Sequence, residues 1–237
     1  MDELLNLSKK NNLKIIEDCA QAIGSKYNGR ISGSWGDVGC FSTHPLKNLN
    51  ACGDGGFIVT NNLAIYKKGK SLINHGHEER NVVKNFGYVS RMDEIQAAIL
   101  LERLKILEDI IKIRRNNAKI YFKNLNSKNI KYFEDTKKQY STYHLFIINS
   151  NYRDELIKYL MKKKIETSIH YPTPIHMQTA FIKKFKKIKD LKMTELLSKK
   201  ILSLPINEFI KEKEIIKISN EINKFYDKKL HKKSKRN

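Results

Sequence analysis

A polar loop that holds one lysine separates two short apolar runs in the first quarter of the chain. Residues 41–56 are Phe41-Ser42-Thr43-His44-Pro45-Leu46-Lys47-Asn48-Leu49-Asn50-Ala51-Cys52-Gly53-Asp54-Gly55-Gly56. The apolar runs at residues 38–41 and 57–60 are β-branched or aromatic and are bounded by glycine, so they predict two buried strands. Lys47 is a candidate nucleophile, because a desolvated lysine readily exposes a free amine. The competing interpretation is an ordinary surface lysine.

Two acidic residues follow an earlier apolar run. Residues 13–16 predict a buried strand with Glu17 and Asp18 at its carboxyl end, which is where ligands bind in open α/β sheets. Asp18 is also a common helix-capping residue, so both roles stay open. Gln21 lies three residues further on, a spacing that puts two side chains on one face of a helical turn. Ser42, five residues before Lys47, can bind a ligand or its own backbone.

Several motifs occur together in one order and spacing. They are Ile15-Ile16-Glu17-Asp18-Cys19-Ala20-Gln21-Ala22-Ile23-Gly24, Gly36-Asp37-Val38-Gly39-Cys40-Phe41-Ser42, Lys47, Gly53-Asp54-Gly55-Gly56 and Arg91-Met92-Asp93-Glu94-Ile95-Gln96-Ala97-Ala98. This arrangement resembles the DegT/DnrJ/StrS family of nucleotide-sugar aminotransferases, up to about residue 225. No motif is diagnostic by itself, but five in register are a strong signal. The resemblance implies a pyridoxal 5'-phosphate enzyme with the aspartate-aminotransferase fold.

The resemblance implies a role for each of four residues. Lys47 would carry the cofactor and move a proton during catalysis. Asp18 would keep the pyridine nitrogen protonated, Gln21 would contact the ring hydroxyl, and Ser42 would bind the cofactor phosphate. A related branch of the family has histidine in place of the lysine and carries out dehydration, so Lys47 favours transamination. No metal is implied.

Two departures from the family accompany the resemblance. Family members carry an N-terminal region ahead of the aspartate strand, including a helix N-terminus for the cofactor phosphate, and we expect this chain to lack it. The expected fold is therefore α/β: an incomplete PLP-transferase large domain of fold type I with a mostly parallel sheet, plus a small α+β C-terminal domain. The family's Gly-x-Asn-x-Arg appears as Gly87-Tyr88-Val89-Ser90-Arg91, where Val89 cannot donate the hydrogen bond of an asparagine.

Local patterns predict the remaining elements and the domain limits. Helices are predicted at residues 1–12, 61–74 and 154–163, and a further helix after Arg91 with a capping box from Ser90 to Asp93. A hairpin turn is predicted at Asn28-Gly29, and strands at residues 143–148, 167–171 and 204–206. The last helix has Ile215, Ile218, Ile222 and Phe225 on one face. Residues 1–118 would form the remainder of the PLP-binding domain and end in a long helix with Leu100, Leu104, Leu107 and Ile111 in a stripe. Residues 119–227 would form the small domain, and residues 228–237 a basic disordered tail.

Composition restricts the partners and the compartment. The net charge is +21, which is compatible with nucleic acid, an anionic membrane surface or an anionic substrate. The excess consists mainly of lysine spread over helical segments with little arginine or aromatic interleaving, so nucleic acid is not expected as a main partner. The sequence contains no run of 18 apolar residues, so it predicts no membrane span. The three cysteines lack metal-ligand spacing, which favours reduced thiols in a cytoplasmic protein.

The sequence thus predicts transfer of an amino group from an amino acid, by resemblance L-glutamate, to a nucleotide-linked keto-sugar. Such a reaction would serve surface-polysaccharide or amino-sugar biosynthesis, in a homodimer or with a complementing N-terminal segment. Two alternatives stay open: a truncated, non-catalytic relic or binding protein of the same fold, and a basic nucleic-acid-binding protein.

Overall fold

The computed structural model describes residues 1–125, 130–185 and 191–234, with only the backbone for residues 232–234. The helices are α1 (Asp2–Asn11), α2 (Leu63–Leu72), α3 (Glu94–Lys105), α4 (Leu107–Asn124), α5 (Arg153–Lys162), α6 (Thr179–Phe185), α7 (Lys192–Ser198) and α8 (Glu212–Ser234), with a 3-10 turn at Ile175–Met177. The strands are β1 (Ile16–Asp18), β2 (Lys26–Tyr27), β3 (Arg30–Ile31), β4 (Val38–Ser42), β5 (Gly56–Val59), β6 (His77–Glu79), β7 (Val82–Val83), β8 (Ile130–Tyr132), β9 (Gln139–Tyr140), β10 (Phe146–Ser150) and β11 (Ile201–Leu204). The protein is α/β, as the sequence predicts, but its sheets are mixed and not mostly parallel: among the described strands, β1 and β4 form the parallel pair and the other paired strands are antiparallel.

The chain forms two compact units. The first unit contains residues 1–112 and 135–144, and the second contains residues 113–134 and 145–237. The domain limits derived from the sequence stay a prediction. In the described residues, no helix combines the length and apolar character that a membrane crossing requires.

The first unit is built around a three-stranded sheet in the order β1-β4-β5. β1 pairs with β4 in parallel, and β4 pairs with β5 in antiparallel orientation. The hairpin of β2 and β3 turns at Asn28 and Gly29, both with positive φ, as the Asn-Gly signal predicts. Phe41 and Phe57 stack on one face of the sheet with ring centroids 4.9 Å apart.

A buried cluster fixes the lysine-containing loop to the helices. Leu49 and Ala51 of this loop pack with Leu100, Leu107 and Ile111. The predicted apolar stripe is thus confirmed at three of its four positions, while Leu104 is 52% exposed. The chain leaves the helical path at Ile106, so the stripe is divided between α3 and α4 and does not lie on one long helix as predicted.

The second unit contains an antiparallel sheet in the order β11-β10-β8 and the helix α8. Ile215, Ile218, Ile222 and Phe225 are buried, which confirms the predicted face of the last helix. Polar anchors hold residues 205–208 against α4: Tyr121 Oη donates to Pro205 O at 2.7 Å, and Asn117 Nδ2 donates to Asn207 O at 2.8 Å. Arg114, which is 5% exposed, donates to Glu208 at 2.9 Å and to Ile206 O at 3.2 Å.

Several predicted elements are wrong in their limits. The strand predicted at residues 13–16 occupies Ile16–Asp18 and Ile16 is 71% exposed, because β1 pairs only on its β4 side within the described residues. Ser90 does not cap α3: the N-cap is Asp93 and no side-chain hydrogen bond closes it. Residues 167–171 form only an isolated bridge through Ser168. The strands predicted at 143–148 and 204–206 are displaced to β10 and β11.

The predicted disordered tail is helical over most of its length. α8 continues to Ser234, and residues 235–237 lie outside the described part. Lys229 explains part of this continuation, because its ammonium group pairs with Glu155 and lies 5.2 Å from the ring centroid of Tyr152.

Replacing Arg114 with alanine should destabilise the second unit. The substitution leaves the carboxylate of Glu208, whose side chain is 12% exposed, without its buried cation. We expect a loss of about 3 kcal/mol in the free energy of unfolding, measured by urea denaturation. The control is Lys119→Ala, an exposed residue of the same helix, which should change the free energy by less than about 0.5 kcal/mol. Equal effects of both variants would contradict the assignment of Arg114 as a buried anchor.

Glu221 should make the stability depend on pH in the acid range. Hydrogen bonds from Lys224 and Tyr159 lower the pKa of Glu221 from 4.5 to about 2. A depressed carboxyl pKa adds stability above pH 4.5, and this contribution disappears as the pH falls towards 2. The difference in unfolding free energy between the wild type and Glu221→Gln should therefore shrink over this range in acid denaturation curves. Asp227→Asn, an exposed change on the same helix, is the control, and a difference that stays constant with pH would refute the assignment.

Candidate active site

The parallel pairing of β1 and β4 places two of the predicted site residues on one edge and one face of a sheet. Asp18 is the last residue of β1 and pairs with Cys40, and Ser42 is the last residue of β4. Because side chains alternate along a strand, Asp18, Cys40 and Ser42 lie on the same face. Both strands end at the same edge, since they run in the same direction. This is the kind of edge at which α/β proteins bind ligands.

The loop that carries Lys47 starts directly after Ser42 and is closed by backbone hydrogen bonds. Thr43 N donates to Gly55 O at 2.9 Å, and Ala51 N donates to Thr43 O at 2.8 Å. A tight turn brings Lys47 N to 2.8 Å from His44 O. Lys47 is half-buried, and in the described part of the chain no hydrogen bond or ion pair occupies its Nζ atom. The amine therefore extends from a fixed backbone without an internal partner.

The base of this loop is buried and polar. Asn48 is 2% exposed, and its Nδ2 donates to Thr142 O at 3.2 Å. Within this loop, the buried oxygens Thr43 Oγ1, Asn48 Oδ1 and Asn50 Oδ1 have no hydrogen-bond partner among the described residues. Such unpaired acceptors are uncommon in protein interiors and are typical of sites completed by water or by a ligand.

Asp18 and Ser42 also make the local bonds that the alternative interpretations predict. Asp18 Oδ1 accepts from Ala20 N at 3.0 Å, and Ser42 Oγ accepts from His44 N at 3.3 Å. These bonds do not exclude a ligand, because a carboxylate has a second oxygen and a hydroxyl retains its donor hydrogen. They orient both side chains before any ligand arrives.

Gln21 lies apart from the geometry predicted for it. Asp18 belongs to β1, and Gln21 is exposed in the turn closed by Ala22 N, which donates to Cys19 O at 3.0 Å. The two residues therefore do not share a helical face. The assignment of Gln21 to the ring hydroxyl of the cofactor stays a prediction.

Glu17 is a positioning residue whose bonding the sequence did not reveal. Its Oε1 accepts from Trp35 N at 2.6 Å and from Gly36 N at 2.7 Å, and its Oε2 accepts from Gly33 N at 2.8 Å. These bonds tie the segment before β4 to β1. Glu17 and Asp18 point to opposite faces, so one carboxylate holds the sheet connection and the next one faces the candidate site.

His44 has one ring nitrogen committed to the loop. Leu46 N donates to His44 Nδ1 at 3.2 Å, which places the proton of the neutral ring on Nε2. His44 Nε2 lies 3.8 Å from Asp54 Oδ1, beyond hydrogen-bond distance but near a carboxylate. A satisfied loop histidine is the interpretation that these contacts support.

These residues fit pyridoxal 5'-phosphate by the chemistry of their side chains. The cofactor needs an amine for its aldehyde, a carboxylate for its pyridine nitrogen and hydroxyl or amide donors for its phosphate. Lys47, Asp18 and Ser42 supply one group of each kind in the first unit. In the described residues, no cluster of three metal-binding side chains is found.

The chain belongs to the DegT/DnrJ/EryC1/StrS aminotransferase family, whose sequence model matches residues 1–223. It is 36% identical over 222 residues to a UDP-N-acetyl-3-dehydro-alpha-D-glucosamine 3-aminotransferase of Acidithiobacillus ferrooxidans. That match covers 94% of this chain and 60% of the relative. A dTDP-3-amino-3,6-dideoxy-alpha-D-galactopyranose transaminase of Aneurinibacillus thermoaerophilus is 36% identical, with 95% and 61% covered.

Solved structures confirm the fold. The S. venezuelae protein DesV superimposes with a TM-score of 0.91 at 32% identity, covering 95% of this chain and 61% of DesV. A DegT DnrJ EryC1 StrS aminotransferase from Brucella abortus gives a TM-score of 0.89 at 34% identity, with 94% and 60% covered. The chain thus spans about 60% of the length of the proteins that it matches.

Replacing Glu17 with glutamine should loosen the connection before β4. In the wild type, both carboxylate oxygens of Glu17 accept hydrogen bonds from backbone N–H groups. The glutamine amide would keep one accepting oxygen, but its NH2 group would face the other backbone N–H and could not accept its hydrogen bond. We expect a loss of about 2 kcal/mol in the free energy of unfolding and faster amide hydrogen exchange at residues 33–36. Glu3→Gln, an exposed change in α1, is the control. Unchanged exchange at residues 33–36 would show that these bonds do not hold the segment.

Proposed function

We propose that this chain handles the cofactor and the substrate in a pyridoxal-phosphate-dependent transfer of an amino group to a nucleotide-linked keto-sugar. The observation that supports this most is Lys47 on a closed loop directly after Ser42, with Asp18 at the end of the neighbouring parallel strand. The names of the relatives support the substrate class, since they include aminotransferases of UDP- and dTDP-linked sugars. L-Glutamate is the proposed amino donor.

When bound, pyridoxal phosphate supplies an aldehyde for the amino group and a ring that accepts electrons from the donor's α-carbon. Lys47 would hold the cofactor through its Nζ atom. Once the donor's amino group had displaced it, the free Lys47 amine would take the proton from the donor's α-carbon and deliver it to the cofactor's aldehyde carbon. The carboxylate of Asp18 would accept a hydrogen bond from the protonated pyridine nitrogen and stabilise its charge. The Ser42 hydroxyl would donate to the phosphate, and Gln21 would contact the ring hydroxyl.

We further propose a cytoplasmic homodimer that serves surface-polysaccharide or amino-sugar biosynthesis. The three cysteines are free, which is typical of a reducing compartment. Large apolar side chains are exposed in one segment of the first unit: Phe86 is 102% exposed, Tyr88 74%, Val89 67% and Ile95 69%. Exposed apolar groups of this kind are typical of protein interfaces. A GDP-perosamine synthase of Escherichia coli O157:H7, 34% identical over 238 residues, supports the sugar pathway.

The test is whether the cofactor attaches to Lys47. Incubation with pyridoxal phosphate should produce a visible absorbance band, and borohydride should fix the cofactor on Lys47, as located by mass spectrometry of peptides. Lys47→Ala should abolish both the band and the fixation, because the attaching amine is gone. Lys105→Ala, an exposed lysine of α3, should change neither.

A second variant separates cofactor binding from catalysis. Asp18→Asn keeps an oxygen for Ala20 N but loses the charge that faces the ring nitrogen. The band should persist, while amino transfer from L-glutamate, measured as 2-oxoglutarate formation, falls by roughly a hundredfold or more. Fixation of the cofactor at another lysine would overturn the proposal. No fixation at all would favour a non-catalytic protein of the same fold, and salt-sensitive binding of DNA or RNA in its place would favour the nucleic-acid alternative.

A further inference from the structure

A cavity of about 780 Å³ in the first unit lies between α2 and the β6–β7 hairpin. None of Asp18, Gln21, Ser42 and Lys47 lines it. One wall is a stripe of α2 and the residues just after it, formed by Lys67, Lys70, Ser71 and Asn74. Their spacing of three, one and three residues puts them on the same helical face.

The opposite wall is held in place by the backbone. Gly76 N donates to Ser71 O at 2.9 Å, His77 N donates to Asn74 O at 3.0 Å, and Lys84 N donates to Gly76 O at 3.2 Å. Gly76 has a φ of 79°, and a Cβ atom there would lie 1.7 Å from Asn85 O. The hairpin therefore returns directly over the end of α2, and the cavity is preformed.

Positive charge in this cavity exceeds what its carboxylates neutralise. Lys84 is paired with Glu78, and this hydrogen bond raises the pKa of Lys84. In the described part of the chain, no carboxylate forms an ion pair with Lys67, Lys68, Lys70 or Arg80. Glu79 is the other carboxylate of the lining. Four cations thus surround the space with one unpaired negative charge beside them, an arrangement that attracts anions.

One buried donor at the base of the cavity has no partner. Ser71 is 8% exposed, and its hydroxyl oxygen forms no hydrogen bond with the described residues. A buried hydroxyl without a partner is costly, and a hydrogen bond from Ser71 to an oxyanion in the cavity would satisfy it. This distinguishes the cavity from an ordinary lysine-rich surface, where all polar groups are hydrated.

We propose that this cavity binds a phosphate-bearing small molecule. Lysine, arginine and serine together supply the charge-assisted and neutral donors that phosphate oxygens accept. The volume exceeds that of a single phosphate and accommodates a diphosphate with a further group attached. The site is separate from the one proposed for the cofactor phosphate, because Ser42 and Lys47 take no part in it.

The test is calorimetric titration with inorganic pyrophosphate at fixed ionic strength. The wild-type chain should bind, and the double variant Lys67→Gln/Arg80→Gln should bind at least about tenfold more weakly, since two charged donors are lost. The control Lys9→Gln/Lys10→Gln removes the same net charge from exposed positions of α1 and should weaken binding by less than about twofold. Both pairs lie on the surface, so neither change should affect folding.

Further titrations identify the source of the phosphate and test whether this cavity is independent of the candidate active site. Tighter binding of uridine diphosphate than of pyrophosphate would assign the cavity to a nucleotide, and equal binding would assign it to the diphosphate alone. Ser71→Ala should weaken pyrophosphate binding while leaving the fold intact, and Ser42→Ala should leave binding in this cavity unchanged. The proposal is overturned if pyrophosphate does not bind, or if the α1 control loses as much affinity as Lys67→Gln/Arg80→Gln.

Discussion

The parallel pairing of β1 with β4 is the contact on which the rest of the first unit depends. It brings Asp18 and Ser42, 24 positions apart in the chain, to the same edge and the same face of one sheet. Parallel strands need a crossover connection, which is commonly a helix. Here the connection contains the short β2–β3 hairpin, and three hydrogen bonds from Gly33, Trp35 and Gly36 attach its end to Glu17.

The alternation of side chains gives two neighbouring carboxylates different tasks. Glu17 lies on the face of Gly39, where the backbone of Gly33 passes so closely that a Cβ on Gly39 would lie 2.4 Å from Gly33 O. The crossover packs on this face. Asp18 faces the opposite side, where its charge is available to a ligand. A displacement of β1 by one residue would exchange the two carboxylates and destroy both the anchor and the candidate site.

Local patterns in the sequence predict what local interactions determine. The strands around Lys47 and the Asn28-Gly29 turn form, because β-branched residues, glycines and an Asn-Gly pair act within a few positions. The predicted burial is wrong for β5, where Ile58 and Val59 are exposed. The limits of β1 are different: Ile15 O accepts from Asp37 N at 2.8 Å, and the ladder with β4 starts only at Ile16. The start of β1 is therefore determined by residues more than 20 positions away, and the apolar run itself does not reveal it.

The site is predictable to the same extent. The apolar runs were sufficient to place Asp18 and Ser42 at strand ends and to single out Lys47 in the loop between two strands, and the resemblance to a family then assigned their roles. The bonding of Glu17 was not visible, because its donors lie 16 to 19 positions ahead and belong to a turn without a sequence signature for this contact. The helical face predicted for Asp18 and Gln21 does not form, because an i, i+3 spacing brings two side chains together only in a helix and the chain turns after β1 instead.

The glycines after Lys47 illustrate how packing decides between two interpretations of one motif. Gly53-Asp54-Gly55-Gly56 resembles both a turn and a phosphate cradle when the sequence is taken alone. A Cβ on Gly56 would lie 2.5 Å from Phe41 O, and one on Gly55 would lie 2.8 Å from Thr43 Oγ1. Both contacts are with the chain that leads into the Lys47 loop, so close return of the backbone explains both glycines. The same close return holds Thr43 against Gly55 and fixes the base of the loop, so the position of the Lys47 amine depends on residues that have no chemistry of their own.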